Sequence, residues 1–111
     1  MKIIDAAIPL AELKAMAEAR FGNLVKGVVD VERRLMAVDG ELHADEEALL
    51  LESGSAQEDL WRITLYPELD EPDRVEFDSV INIRPSQGNR SRGVDDESIQ
   101  KILQIVEDLV R

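Results

Sequence analysis

With 111 residues, 44% apolar and 33% charged side chains, the chain is sized for a single domain, 1–111, burying roughly two-thirds of its unfolded surface. The absence of cysteine excludes a disulfide framework, a thiolate metal site and a cysteine nucleophile. The net charge of −11 sits in the middle: residues 39–78 hold two Lys/Arg against fourteen Asp/Glu, whereas 1–38 and 79–111 hold six against five and five against five.

A surface this acidic repels a phosphate backbone, so nucleic acid is not an expected partner. No apolar run approaches the ~18 residues of a membrane span, and Met1-Lys2-Ile3-Ile4-Asp5 meets charge at once. A soluble, cytoplasmic protein without a membrane partner is therefore expected.

Taken in order, Pro9 suits the first turn of a helix, and Leu10, Leu13, Ala17 and Phe21 follow at helical spacing with Met16 beside them, closed by Gly22-Asn23. From Leu24 the period falls to two: Val25, Gly27, Val29 and Val31 face one way, Lys26, Asp30 and Glu32 the other, which predicts a strand. Glu32-Arg33-Arg34 reads as a turn into the strand Leu35 to Val38. Asp39-Gly40 is a two-residue hairpin signal, with a further strand expected from Glu41.

The segment Glu41 to Glu52 has helical propensity in Asp45 to Leu51. It is bounded by two turn signals about a dozen residues apart, Asp39-Gly40 and Ser53-Gly54-Ser55, so an extended segment with a bulge or short helical turn near Asp45 is expected. Leu60 to Tyr66 alternates as a strand stopped by Pro67, and an acidic surface loop follows from Glu68 to Asp73. Arg74 to Arg84 alternates most clearly; Val75, Phe77, Ile81 and Ile83 predict the most buried strand, covered by Ile99, Leu103 and Val106. Asp95 or Asp96 can cap a last helix whose Ile99, Ile102, Leu103, Val106, Leu109 and Val110 keep a helical period. The fold class is α+β: an about five-stranded, mostly antiparallel sheet with N- and C-terminal helices packed on one face.

Two stretches, Gly40-Glu41-Leu42-His43-Ala44-Asp45-Glu46-Glu47-Ala48-Leu49-Leu50-Leu51-Glu52 and Ile81-Asn82-Ile83-Arg84-Pro85-Ser86-Gln87-Gly88-Asn89-Arg90-Ser91, carry a resemblance. The chain resembles, over nearly its whole length, a family of small uncharacterised prokaryotic proteins classed as a domain of unknown function. That likeness implies a stand-alone bacterial or archaeal protein and brings no activity, ligand or catalytic residue with it.

Two constellations could carry chemistry. On an extended backbone, Glu41, His43, Asp45 and Glu47 share one face, and one imidazole among carboxylates suits a divalent cation such as Mn²⁺, Mg²⁺ or Zn²⁺. The same residues equally fit a solvated face, and without such a metal no cofactor is expected. The second is the run Arg84 to Arg92, where Arg84, Gln87, Gly88, Asn89, Arg90, Ser91 and Arg92 offer guanidinium forks, amides and backbone N–H groups to a phosphate or carboxylate. Those arginines could instead pair with the acidic middle of the chain, within one molecule or across a dimer. His43 is the only candidate base for six serines, and no Gly-x-Ser-x-Gly elbow is present, so a triad hydrolase is not expected.

Two functional readings follow. One is a non-enzymatic binding or regulatory module acting as a homo-oligomer, most simply a homodimer, or with a protein partner or small anionic ligand. The other is a small metal- or phosphate-dependent enzyme in which the His43 stripe and the Arg84–Arg92 loop meet in one cleft.

Overall fold

The structure, a computed structural model, describes residues 1–70, 73–77 and 96–111. Five strands form one sheet: β1 (Lys2–Ile4), β2 (Val25–Asp30), β3 (Leu35–Val38), β4 (Leu60–Leu65) and β5 (Val75–Phe77). Their order is β1-β3-β2-β4-β5, and every pairing is antiparallel. Three α-helices accompany them: α1 (Leu10–Arg20), α2 (His43–Glu52) and α3 (Asp96–Leu109), with a short 3₁₀ turn at Gln57–Asp59. The α+β class and the antiparallel sheet are as the periodicity predicts.

Register explains the layering. Val29 stands opposite Met36 and Trp61, so Val25, Val29, Met36, Val38, Trp61, Ile63, Leu65 and Val75 all face one side. There they pack against Leu13 and Ala17 of α1 and Ile102, Ile105, Val106 and Leu109 of α3. The two terminal helices thus share a face, as predicted. A parallel bridge between Ile8 and Val110 fastens the ends, with Ile8 N–H donating to the Leu109 carbonyl (2.9 Å) and Arg111 N–H to that of Ile8 (2.8 Å).

The opposite face carries a second, smaller core of Val28, Leu35, Ala37 and Leu60 with Leu50, covered by α2. Here the structure corrects the sequence. Glu41 to Glu52 is not extended: a ten-residue helix begins at His43, and Asp39-Gly40 turns the chain from β3 into that helix rather than into a hairpin. The run Ala44-Asp45-Glu46-Glu47-Ala48-Leu49-Leu50-Leu51 has no β-branched residue and several strong helix formers, and docking on the sheet supplies what a short helix lacks alone.

A second correction concerns the strand beginning at Val75. Among the described strands it ends the order instead of lying at its centre; Val75 is buried but Phe77 only half-buried. The central strand is β2, paired on both sides and with Val28 and Val29 wholly buried. Ile81 and Ile83 lie outside the described residues. Phe21, expected on the inner stripe of α1, is exposed at its C-terminal end.

Cavity formation should therefore be costliest at the centre. Ile63→Ala, at a wholly buried site paired between β2 and β5, is expected to lower the unfolding free energy by roughly 2–5 kcal/mol. Phe77→Ala should cost clearly less, because that side chain lies on the last strand in the described order and is only partly buried. Urea unfolding of both variants checks the ranking; equal losses would contradict it.

Candidate functional site

One meeting of polar groups lies where α1 ends, β2 begins and α2 starts, around the Asp39-Gly40 turn. Asp39 occupies the left-handed region (φ 66°), which aspartate tolerates better than most residues. Gly40 is required by space: a Cβ there would come within 2.8 Å of Glu46 Cγ and 3.1 Å of Met1 Sδ. From α1, Arg20 reaches over the turn, its Nε donating to Asp39 Oδ1 (3.3 Å) and its Nη1 to Glu41 Oε1 (3.3 Å). From β2, Lys26 Nζ donates to the Glu41 carbonyl (2.9 Å) and stands 5.0 Å from the Phe21 ring centroid. Arg20, Phe21, Lys26, Asp39 and Gly40 border a shallow surface notch with no enclosed volume.

Glu46 lies within this turn's packing. It projects from the inner side of α2, is wholly buried, and its Oε2 accepts the Gly40 N–H at 2.9 Å while Oε1 has no hydrogen-bond partner. Burial pushes this carboxyl up to about 8, with nearby Asp39 adding to the rise; the Gly40 N–H and the Lys26 ammonium oppose it. At neutral pH the group is mainly the uncharged acid, which is what its surroundings can accommodate.

The helix redistributes the four residues proposed as a metal stripe. Glu41 precedes α2, is exposed and pairs with Arg20. Asp45 is exposed in the first turn. His43 and Glu47 lie one turn apart, but His43 Nε2 donates to the Ile63 carbonyl (2.8 Å), and Glu47 accepts Gln57 Nε2 on Oε1 (2.8 Å) and Arg62 Nε on Oε2 (3.1 Å). The extended backbone that would have aligned all four is replaced by helix. Among the described residues, no three His, Asp or Glu side chains are grouped to hold a metal ion. Arg84, Gln87, Gly88, Asn89, Arg90, Ser91 and Arg92 lie outside the described residues.

A match to a known family spans residues 2–109, and that family is described as a protein of unknown function (DUF5674). The chain belongs to this family. No curated protein and no solved structure matches it. Among the described residues of this DUF5674 chain, no helix is long and apolar enough to cross a membrane.

A second buried polar cluster was not anticipated. Asp30, wholly buried at the end of β2, accepts the backbone N–H groups of Glu32 and Arg33 on Oδ1 (both 2.9 Å) and the Ser55 hydroxyl on Oδ2 (2.6 Å). Arg33 Nη1 then donates to Ser53 Oγ (3.0 Å) and Ser55 Oγ (2.9 Å). Both carboxylate oxygens of Asp30 accept hydrogen bonds, so this cluster fastens the β2–β3 turn to the end of α2. The spacing Asp30-x-x-Arg33 at a turn is visible in the sequence, but Ser53 and Ser55 lie 23 and 25 positions from Asp30 and only the fold joins them.

The perturbed carboxyl gives a pH test. Because Glu46 is raised in the fold from an ordinary 4.5 to about 8, the neutral acid supports the fold fully below pH 4.5, and that support drains away as pH rises through about 8. Glu46→Gln keeps an acceptor for the Gly40 N–H and cannot ionise. It is expected to match the parent in acid and to exceed its unfolding free energy by roughly 3–5 kcal/mol above pH 8. Urea unfolding across this range checks it; parallel pH profiles would contradict it.

Proposed function

We propose that this protein is a non-enzymatic binding or regulatory module that works as a homodimer, with the outward side of α2 as its contact surface. One observation carries the reading. Ala44, Ala48 and Leu51 are exposed and follow one another along that side, bordered by Glu41, Asp45 and Glu52, so the helix turns a narrow apolar strip with an acidic margin toward solvent.

Charge names the occupant. An acidic margin seeks cations, and the one concentration of arginine in this sequence is Arg84 to Arg92, outside the heavily acidic middle segment. A second copy of the chain carries both halves of that match and, under two-fold symmetry, can make the contact twice. In this reading Arg84, Arg90 and Arg92 meet carboxylates of the partner copy rather than a small phosphorylated ligand. The acidic margin also argues against nucleic acid, and the lack of cysteine suits the reducing cytoplasm of a bacterium or archaeon.

Sedimentation velocity at low micromolar concentration tests the proposal. The parent is expected at twice the mass of the chain, shifting toward the single chain as salt screens the charge match. Ala48→Glu, placed in the strip but away from either core, should give the single-chain mass with unchanged helix content. A parent that sediments as one chain at low salt would defeat the reading.

A further inference from the structure

The Asp39-Gly40 pair is used by the fold in a way that creates a chemical liability and restrains it. Asp-Gly is the residue pair in which the following backbone nitrogen most readily attacks the aspartyl side chain, because glycine offers no Cβ to obstruct the approach. In that reaction a bond forms between Gly40 N and Asp39 Cγ, the Cγ–OH bond breaks, and the amide proton and the hydroxyl leave together as one water. Water then opens the resulting succinimide at either carbonyl, giving back aspartate or leaving isoaspartate with the main chain routed through Cγ. Neither step requires an oxidant, a reductant or a cofactor.

This fold cannot easily exchange either residue. Position 40 has no room for a Cβ, with Glu46 Cγ 2.8 Å from where it would lie, and position 39 sits at φ 66°. What it can do is immobilise the reacting atoms. The nucleophile, Gly40 N, has its hydrogen committed to the buried Glu46 Oε2 at 2.9 Å. To attack, the nitrogen must pyramidalise and rotate away from that acceptor, stranding the N–H inside the packing. The electrophile is held as well, since Arg20 Nε grips Asp39 Oδ1 from α1. On one side of the pair Val38 is laddered to both Lys2 and Gly27, and on the other α2 begins within three residues.

We propose that Asp39-Gly40 is a latent isoaspartate modification site, held shut in the native protein by two restraints together, the hydrogen bond from Gly40 N–H to Glu46 and that from Arg20 to Asp39, and opened when the start of α2 undocks. The inserted backbone methylene would then move Gly40 off Glu46 and oppose re-docking of the helix. Modification would therefore record past local opening of this corner. The inference stands on the turn alone and is independent of the dimer reading.

The full chain is aged at physiological temperature and pH, natively and in urea, and isoaspartate at position 39 is followed by peptide mass spectrometry and by enzymatic methylation. The native parent is expected to accumulate it several-fold more slowly than the unfolded chain. Glu46→Ala, shown to be folded by circular dichroism, should age several-fold faster than the native parent, whereas Glu46→Gln, which retains an acceptor, should stay slow. Should Glu46→Ala not fold, Arg20→Gln at the exposed end of α1 decides instead, and is expected to age faster than the parent. A native parent that ages as fast as the unfolded chain overturns the proposal, as does the deciding variant ageing at the parent's rate.

Discussion

The contact between Gly40 and Glu46 settles where the second face of the sheet is covered. The Gly40 N–H, two residues beyond β3, is buried outside the strand ladder, and left alone it would cost about 1–3 kcal/mol. Glu46 supplies the acceptor from the inner side of α2, so the helix must lie with that residue against the turn. Once it does, Leu50, one turn further along the same side, falls onto Val28, Leu35, Ala37 and Leu60 and completes the smaller core. The aliphatic stem of Glu46 fills the space that a Cβ on residue 40 would have occupied, which makes the glycine and the glutamate one packing decision.

The far end of the same helix is fixed by different chemistry. Asp30 turns the chain from β2 toward β3 by accepting two successive N–H groups, then uses its other oxygen for Ser55, while Arg33 holds Ser53 and Ser55 together. This carboxylate is fully buried and fully satisfied, the combination in which a buried polar group supports a unique arrangement. Glu46 is buried and half satisfied. The two ends of α2 therefore differ in kind: the Ser53–Ser55 end is held by a closed network around a satisfied carboxylate, the His43 end by separate bonds, among them Gly40 N–H to Glu46 and His43 to the Ile63 carbonyl, around a half-satisfied neutral acid. Local opening should begin at the second.

The same contrast explains what was legible in the sequence. Strands β2 and β4 and helices α1 and α3 follow from periodicity because each buries an apolar side of its own, as Val25, Gly27 and Val29 or Ile102, Ile105 and Val106 do. α2 escaped because one of its two wholly buried side chains is a glutamate, which breaks the apolar period that marks a docked helix. The Asp39-Gly40 pair predicts a hairpin and does turn the chain, with Asp39 in the left-handed region, but it leads into a helix instead of a strand, and only the packing of Glu46 chooses. Val75 and Phe77 alternate as a buried strand should, yet alternation describes which side a residue faces and not where its strand falls in the order. The candidate site is least legible of all: Glu41, His43, Asp45 and Glu47 share a face only at a strand's spacing of two, and the helix gives His43 and Glu47 instead to the Ile63 carbonyl, Gln57 and Arg62.

That reassignment also bears on how the acidic middle of the chain is tolerated. Fourteen carboxylates in residues 39–78 would repel one another if all were free and ionised. The fold removes some of that load by separate means: Glu46 is neutralised by burial, Glu47 is bound by Arg62, and Asp39 and Glu41 share the Arg20 guanidinium. Asp45 and Glu52 are left exposed on α2, so the surplus negative charge on this helix gathers on its solvent side beside Ala48 and Leu51. Charge that the interior and the turns neutralise is thus separated from charge left on the solvent side of α2, and that same side also exposes apolar surface.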